Sequence, residues 1–162
     1  MTRLLAGGLI AVAVWLVAAT QVPAHPRMTL ADVVVGAVVT QPFGCTTLDL
    51  EPYDELCRTL HKHTGIDLAA PLGTEVHSAT YGTAWTGYDP SGAGNFIGVN
   101  EDARVRLIYC HLSAFLVHSG DAVTPGEVIG LVGETGLATG PHVHFQVDVD
   151  GTPVDPAAWL GS

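Results

Sequence analysis

Two histidines stand two residues apart in the apolar run 142–147. In a β-strand, residues i and i+2 point to the same face, so His142 and His144 would project together while Val143 and Phe145 face the opposite way. Paired imidazoles are typical of a metal site or an active site, because the neutral ring is both a zinc ligand and a base. The same spacing also fits two surface histidines on a half-buried strand, so the pair alone leaves both interpretations open.

Further candidates occur earlier in the chain, which contains eight histidines. His63 and Asp67 form the pattern H-x-x-x-D, and His111 follows an apolar run. A catalytic zinc site takes three protein ligands from His, Cys, Asp and Glu and leaves one position for water. Two histidines and one carboxylate leave positive charge on the ion, which acidifies that water, and nearby imidazoles could take its proton. These are the parts of a metal-assisted amide hydrolase, although spacing does not separate ligands from catalytic residues.

The elements that would position these residues are short strands. Apolar runs alternate with turns rich in Gly and Pro, and no long amphipathic helix is evident after the N-terminal segment. The predicted strands are 31–40, 75–79, 82–87, 95–100, 104–111, 127–132, 142–149 and 152–154. Asp150-Gly151 is a strong hairpin signal between the last two. The pattern predicts an all-β domain, a small antiparallel sheet or sandwich, closed by one helical turn over 157–160 that Asp155 caps.

The N-terminus has the features of an export segment. Arg3 supplies a positive charge, and residues 4–19 are apolar but fall short of the roughly 20 residues that a spanning helix prefers. Small or modest residues stand at −3 and −1 before two cleavage positions. We predict a signal peptide or N-terminal anchor helix over 1–24, a linker over 25–35 and one domain over 36–162. Both alternatives place the domain outside the cytoplasmic membrane, either secreted or anchored through residues 4–19.

Charge and cysteine content narrow the function further. Six basic residues against 16 acidic ones give a net charge of −10, which argues against nucleic acid as a partner. The chain is expected to be a monomer. In an oxidising compartment Cys45 and Cys57 are expected to form a disulfide around an acidic loop, worth about 3 kcal/mol, the alternative being two free thiols. Cys110 is expected to be a buried apolar residue, and adjacent strand residues facing opposite ways argue against a role beside His111.

Seven motifs occur in an order that carries a resemblance to a known family. They are His63-Thr64-Gly65-Ile66-Asp67, Gly73-Thr74-Glu75-Val76, Gly94-Asn95, Tyr109-Cys110-His111-Leu112, Gly120-Asp121-Ala122-Val123, the segment 135–145, and Gly151-Thr152-Pro153-Val154-Asp155-Pro156. On these motifs the chain resembles the lysostaphin/LytM-type zinc metalloendopeptidases, which cut peptidoglycan peptides. The resemblance covers roughly 36–160.

The resemblance implies a fold, a cofactor and roles for the candidate residues. The fold would be a small antiparallel β-sheet with a groove walled by loops. One zinc ion would bind His63, Asp67 and His144, while His111 and His142 would flank the open position as catalytic imidazoles. The substrate would be peptidoglycan stem or cross-bridge peptides. The alternative is a non-catalytic LytM-type module that binds cell wall or activates another wall hydrolase.

The chain departs from the family pattern at three positions. Gln146 stands where the family often has Glu, Ala138 where Ser is common, and Cys110 where a small residue precedes the catalytic histidine. The first change alters the charge expected along the groove. None of the three removes a ligand or a catalytic residue that the resemblance implies.

Overall fold

The computed structural model describes residues 28–161. The signal peptide or anchor helix predicted over 1–24 lies outside the described residues. Within the described part of the chain, no helix is long and apolar enough to cross a membrane.

Thirteen short strands and two short helices make up the described chain. The strands are β1 Val38–Gln41, β2 Gly44–Thr46, β3 His61–His63, β4 Ile66–Ala69, β5 Glu75–His77, β6 Gly82–Asp89, β7 Gly94–Asn100, β8 Val105–Leu112, β9 Ala114–Phe115, β10 Ala122–Val123, β11 Val128–Leu131, β12 His142–Val149 and β13 Thr152–Val154. The helices are α1 Leu30–Val33 and α2 Pro156–Leu160. The prediction of a mostly antiparallel β-domain is confirmed, and Asp155 caps α2 by accepting a hydrogen bond from the Ala157 backbone N–H.

The main sheet has the strand order β1-β4-β12-β8-β7-β6-β10, and β13 pairs with β12. A three-stranded sheet has the order β5-β11-β9, and β2 pairs with β3. Every strand pair is antiparallel. Two long loops, residues 47–60 and 132–141, leave the sheet on the groove side. They stand beside the outer face of the sheet and form sides of the groove.

Alternation along β12 separates the core from the groove. Val143, Phe145 and Val147 are completely buried in the hydrophobic core, which residues from both larger sheets share. His142 and His144 therefore project from the opposite face, because successive side chains of a strand point to opposite sides. The period-2 pattern thus fixes the direction of both histidines.

The start of the domain differs from the prediction of one strand over 31–40. Residues 30–33 form α1, and the Asp32 carboxylate accepts hydrogen bonds from the backbone N–H and the hydroxyl of Thr29, both at 2.7 Å. This capping interaction favours a helical turn. Val33 and Val34 are almost completely buried in the core, so part of the predicted linker packs with the domain.

Candidate metal centre and groove

Three potential ligand atoms converge where β3, β4 and β12 meet. His63 Nε2 lies 2.9 Å from His144 Nδ1 and 3.1 Å from Asp67 Oδ1, and the last two atoms lie 3.1 Å apart. The sheet creates this arrangement because His144 and Asp67 are directly paired residues of neighbouring strands. Of the described His, Cys, Asp and Glu residues, these three form the group that could hold a metal ion.

The hydrogen bonds of the two rings fix which nitrogens carry protons. His63 Nδ1 lies 2.9 Å from the carbonyl oxygen of Pro42, which can only accept, so Nδ1 donates and Nε2 keeps its lone pair. The Gln146 amide N–H donates to Asp148, so its oxygen faces His144 Nε2 at 3.4 Å and accepts from that nitrogen. His144 Nδ1 therefore carries no proton and also keeps its lone pair.

Three lone pairs aimed at one point repel one another unless a cation lies between them. A tetrahedral zinc ion with bonds of about 2.0–2.1 Å separates its ligand atoms by about 3.3 Å, close to the three distances observed. The donor set of two imidazoles and one carboxylate also suits zinc. The residues present therefore fit the metal that the family resemblance implies.

The pKa values at this site show the same demand for positive charge. Burial alone would raise the pKa of Asp67, but the neighbouring rings of His144 and His63 outweigh it and hold that pKa well below its usual range. Burial would lower the pKa of His63, yet Asp67 and the Pro42 carbonyl raise it overall. Both directions are those expected where a carboxylate and imidazoles share a site that favours positive charge.

Gly65 allows His144 to approach β4. A methyl group added at Gly65 would lie 2.5 Å from the carbonyl oxygen of Phe145 and 2.7 Å from His144 Nε2, closer than real Cβ contacts allow. We expect Gly65→Ala to displace the His144 ring and to lower zinc affinity at least tenfold, as loss of a ligand's supporting contacts does in other sites (about 10–100-fold). Competition with a chromophoric chelator measures this.

The matched control for this variant is Gly140→Ala. Like Gly65, Gly140 lies two residues from a site histidine in sequence, but a methyl group there meets no atom within 4 Å. Equal zinc affinity of Gly65→Ala and Gly140→Ala would contradict the role given to Gly65.

His111 reaches the same site from β8 through a bulge. Asn95 pairs with Leu112 and Ile97 with Tyr109, which leaves two residues of β8, Cys110 and His111, opposite one residue of β7. His111 has a φ of 65°, a left-handed conformation that is uncommon for residues other than glycine. The bulge turns the imidazole onto the groove face, where its centroid lies 4.7 Å from that of His142.

Cys110 therefore also faces the groove, contrary to the prediction that it and His111 point to opposite sides. The physical reason is the bulge, because two consecutive residues of a bulged strand share one position of the partner strand. Burial raises the pKa of the Cys110 thiol to about 12, so the thiol stays protonated near neutral pH. The expectation that Cys110 is buried is confirmed.

Both remaining imidazoles present a free lone pair to the groove. His111 Nδ1 lies 2.8 Å from the Thr135 carbonyl oxygen, and His142 Nδ1 lies 2.8 Å from that of Gly140. Each Nδ1 must donate, so each Nε2 is left as an acceptor; His142 Nε2 lies 3.8 Å from Asp67 Oδ1. Burial, reinforced by neighbouring histidine rings, lowers the pKa of His111 to about 4 although the Thr135 contact opposes it.

Asp67, His111, His142 and His144 line a groove with a volume of about 590 Å³, and the fully buried His63 lies behind them. Its floor is partly apolar, and one edge-to-face pair, Trp85 and Phe96, has ring centroids 5.2 Å apart. One wall is the loop between Cys45 and Cys57, which carries Leu48, Leu50, Glu51 and Pro52, and these two cysteines form the predicted disulfide. The sequence had not indicated that this loop borders the site; its flanking cysteines are the only local signal.

Comparison with known proteins agrees with this geometry. The sequence model of Peptidase family M23 matches residues 61–156, more than half of the chain. The chain belongs to peptidase family M23. The resemblance drawn from the motifs is thereby confirmed.

Two relatives and one solved structure illustrate the similarity. The chain is 39% identical over 120 residues to the DD-carboxypeptidase/endopeptidase Mpg of Neisseria meningitidis serogroup B, covering 74% of this chain and 26% of that protein. It is 39% identical over 93 residues to the peptidoglycan DD-endopeptidase ShyA of Vibrio cholerae serotype O1, covering 57% and 22%. The chain thus spans about a quarter of the length of these relatives. The catalytic domain of the antimicrobial peptidase lysostaphin from Staphylococcus simulans superposes with a TM-score of 0.64 at 33% identity, covering 78% of this chain and 93% of that domain.

Proposed function

We propose that this M23 chain is a zinc metalloendopeptidase that hydrolyses amide bonds in peptidoglycan stem or cross-bridge peptides. The observation that carries the proposal is the convergence of three lone-pair ligand atoms beside two imidazoles whose Nε2 atoms are also free. His63, Asp67 and His144 would hold one zinc ion. The non-catalytic alternative has no need for two further imidazoles held in one tautomer at the same groove.

A zinc ion held there would supply Lewis-acid activation of water and of the scissile carbonyl. The work of the chain is to position the substrate and to move protons. Nε2 of His111 or His142 can accept a proton from the attacking water, because the Thr135 and Gly140 carbonyls keep the other nitrogen of each ring protonated. The same imidazole then returns that proton to the leaving amine, which would otherwise depart as an unstable anion.

The groove suits a peptide with small apolar side chains. Apolar surface comes from Leu48, Leu50, Trp85, Phe96 and Ile108, which line the same groove as Asp67 and His144. Two relatives carry endopeptidase names, one of them naming peptidoglycan as what it acts on. We further propose that the export segment over 1–24 brings the domain to the wall as a secreted or anchored enzyme.

Digestion of isolated cell walls tests the proposal. The purified, zinc-loaded full chain should release new amino groups from walls with direct cross-links or from walls with peptide cross-bridges, and mass spectrometry of the fragments identifies the bond. A chelator should abolish the release, and added zinc should restore it. Absence of new amino groups from both wall types with metal-loaded protein would overturn the proposal in favour of a binding module.

A further inference from the structure

Glu51 brings a second carboxylate close to the metal centre from an unexpected direction. It lies midway along the loop between Cys45 and Cys57, and its Oε1 is 4.0 Å from His63 Nε2, the atom that would bind the metal. The Glu51 side chain is only 18% exposed. Glu51 nevertheless stands outside the group whose ligand atoms all lie within 4.8 Å of one another, so its position is that of a neighbour rather than a ligand.

Several contacts fix the Glu51 carboxylate at this position. The Gln41 side-chain amide donates to Glu51 Oε1 at 3.0 Å, and Gln41 is itself paired with the ligand Asp67 across β1 and β4. His61 Nδ1 donates to the Glu51 backbone carbonyl at 2.8 Å, and His61 lies two residues before the ligand His63. The disulfide and the bond from Lys62 N–H to the Pro52 carbonyl hold the loop against β3. The loop is therefore tied to β3, which carries His63, and to β1, which pairs with the strand of Asp67.

The charges lining the groove leave Glu51 without a protein cation. The described lining residues include three charged side chains, Glu51, Asp67 and Arg106. Arg106 donates to Asp148 at 2.6 Å, and Asp148 is buried, so that cation is already paired. A doubly charged ion bound with Asp67 as its single anionic ligand keeps one uncompensated positive charge, and Glu51 is the nearby group that can balance it.

We propose that Glu51 is an outer carboxylate of the metal centre, which strengthens metal binding by charge without coordinating the ion, and that the disulfide loop exists in part to hold it there. This inference rests on the metal site of the proposed function but not on the identity of the substrate. Supporting residues outside the ligand shell typically change metal affinity by about 10–100-fold. The attraction between a metal ion and a carboxylate several ångströms away in a half-buried site should change metal affinity by an amount near the lower end of that range.

The test is the zinc affinity of Glu51→Gln, measured by competition with a chromophoric chelator in the full chain. Glutamine keeps the shape and can still accept from Gln41, so only the charge is lost. We expect zinc to bind about tenfold more weakly. Glu55→Gln makes the same change in net charge on the same loop, at an exposed position, and should leave affinity unchanged. Equal affinities of Glu51→Gln and the parent would overturn the proposal.

Two further measurements separate this role from others. The visible absorption spectrum of the cobalt-loaded protein should not change in Glu51→Gln; a changed spectrum would make Glu51 a ligand and overturn the outer role. Replacing both cysteines, Cys45→Ser with Cys57→Ser, should weaken zinc binding by a similar factor, and Glu51→Gln should then add little. A full additional tenfold loss in that background would show that the disulfide is not needed to hold the carboxylate, and would overturn that part of the proposal. Because these readouts are affinities and spectra, they stand or fall independently of wall hydrolysis.

Discussion

Zinc content and wall hydrolysis are both expected to collapse in His144→Ala. The variant removes one of three candidate ligand atoms that lie 2.9–3.1 Å apart, and alanine offers no donor in its place. Metal activation is worth several kcal/mol in the transition state, so the rate of bond cleavage should fall by about a thousandfold or more. Zinc per protein by elemental analysis and release of amino groups from isolated walls measure the two effects.

His118→Ala is the matched control for this variant. The side chain of His118 is 94% exposed and lies on the turn before β10, so its removal should change neither quantity. Thermal unfolding of both metal-free variants checks that each is folded. Hydrolysis at the parental rate by His144→Ala, or an unchanged zinc content, would contradict the assignment of His144 as a ligand.

Strand bounds were predicted most accurately from the sequence where apolar and polar residues alternate with period 2. The bounds predicted for the last two strands, 142–149 and 152–154, are those observed. Asp150 and Gly151 both have positive φ, as the hairpin dipeptide predicts. The first strand was less well predicted, because its valines fit a buried helical turn as well as a strand. The capping signal of Thr29 and Asp32 was the local clue that separated the two.

The candidate ligands and imidazoles were found by motif, not by geometry. The spacing of His63 and Asp67 cannot show that His144, far away in sequence, pairs with Asp67 across two strands. That contact depends on the order of strands in the sheet, which a single sequence does not encode in any local pattern. Resemblance to a family supplied the missing topology, and the structure brings the five named residues together.

Two features of the site have no sequence signal strong enough to predict them. The bulge at Cys110 and His111 uses no glycine, so nothing in the residues marks where alternation breaks. Glu51 belongs to an acidic loop in which any of several carboxylates could have faced the site. Its approach to His63 follows from contacts made by Gln41 and His61, which come from separate strands.

Replacing His111 with asparagine is expected to leave zinc bound and to reduce turnover by about 10²–10⁴-fold, the usual contribution of a general acid–base residue. Asparagine is chosen because it tolerates the left-handed conformation at this position, where alanine would add backbone strain to the loss of the imidazole. Elemental analysis and the rate of amino-group release at saturating substrate give the two results. His118→Asn, at an exposed position, should behave like the parent.

The pKa of His111 adds a pH dependence to this prediction, because it sets the pH range in which the neutral imidazole can act as a base. With a pKa lowered to about 4, the ring is neutral throughout pH 5–8, and its Nε2 is available as a base across that range. The ratio of parental to His111→Asn turnover should therefore stay constant between pH 5 and 8. Any decline in parental activity within that window must come from another group. A ratio that falls towards one as the pH drops from 7 to 5 would mean that His111 becomes protonated in that range. A variant whose turnover stays within a few-fold of the parent at every pH would contradict the role of His111 and leave His142 as the sole proton carrier.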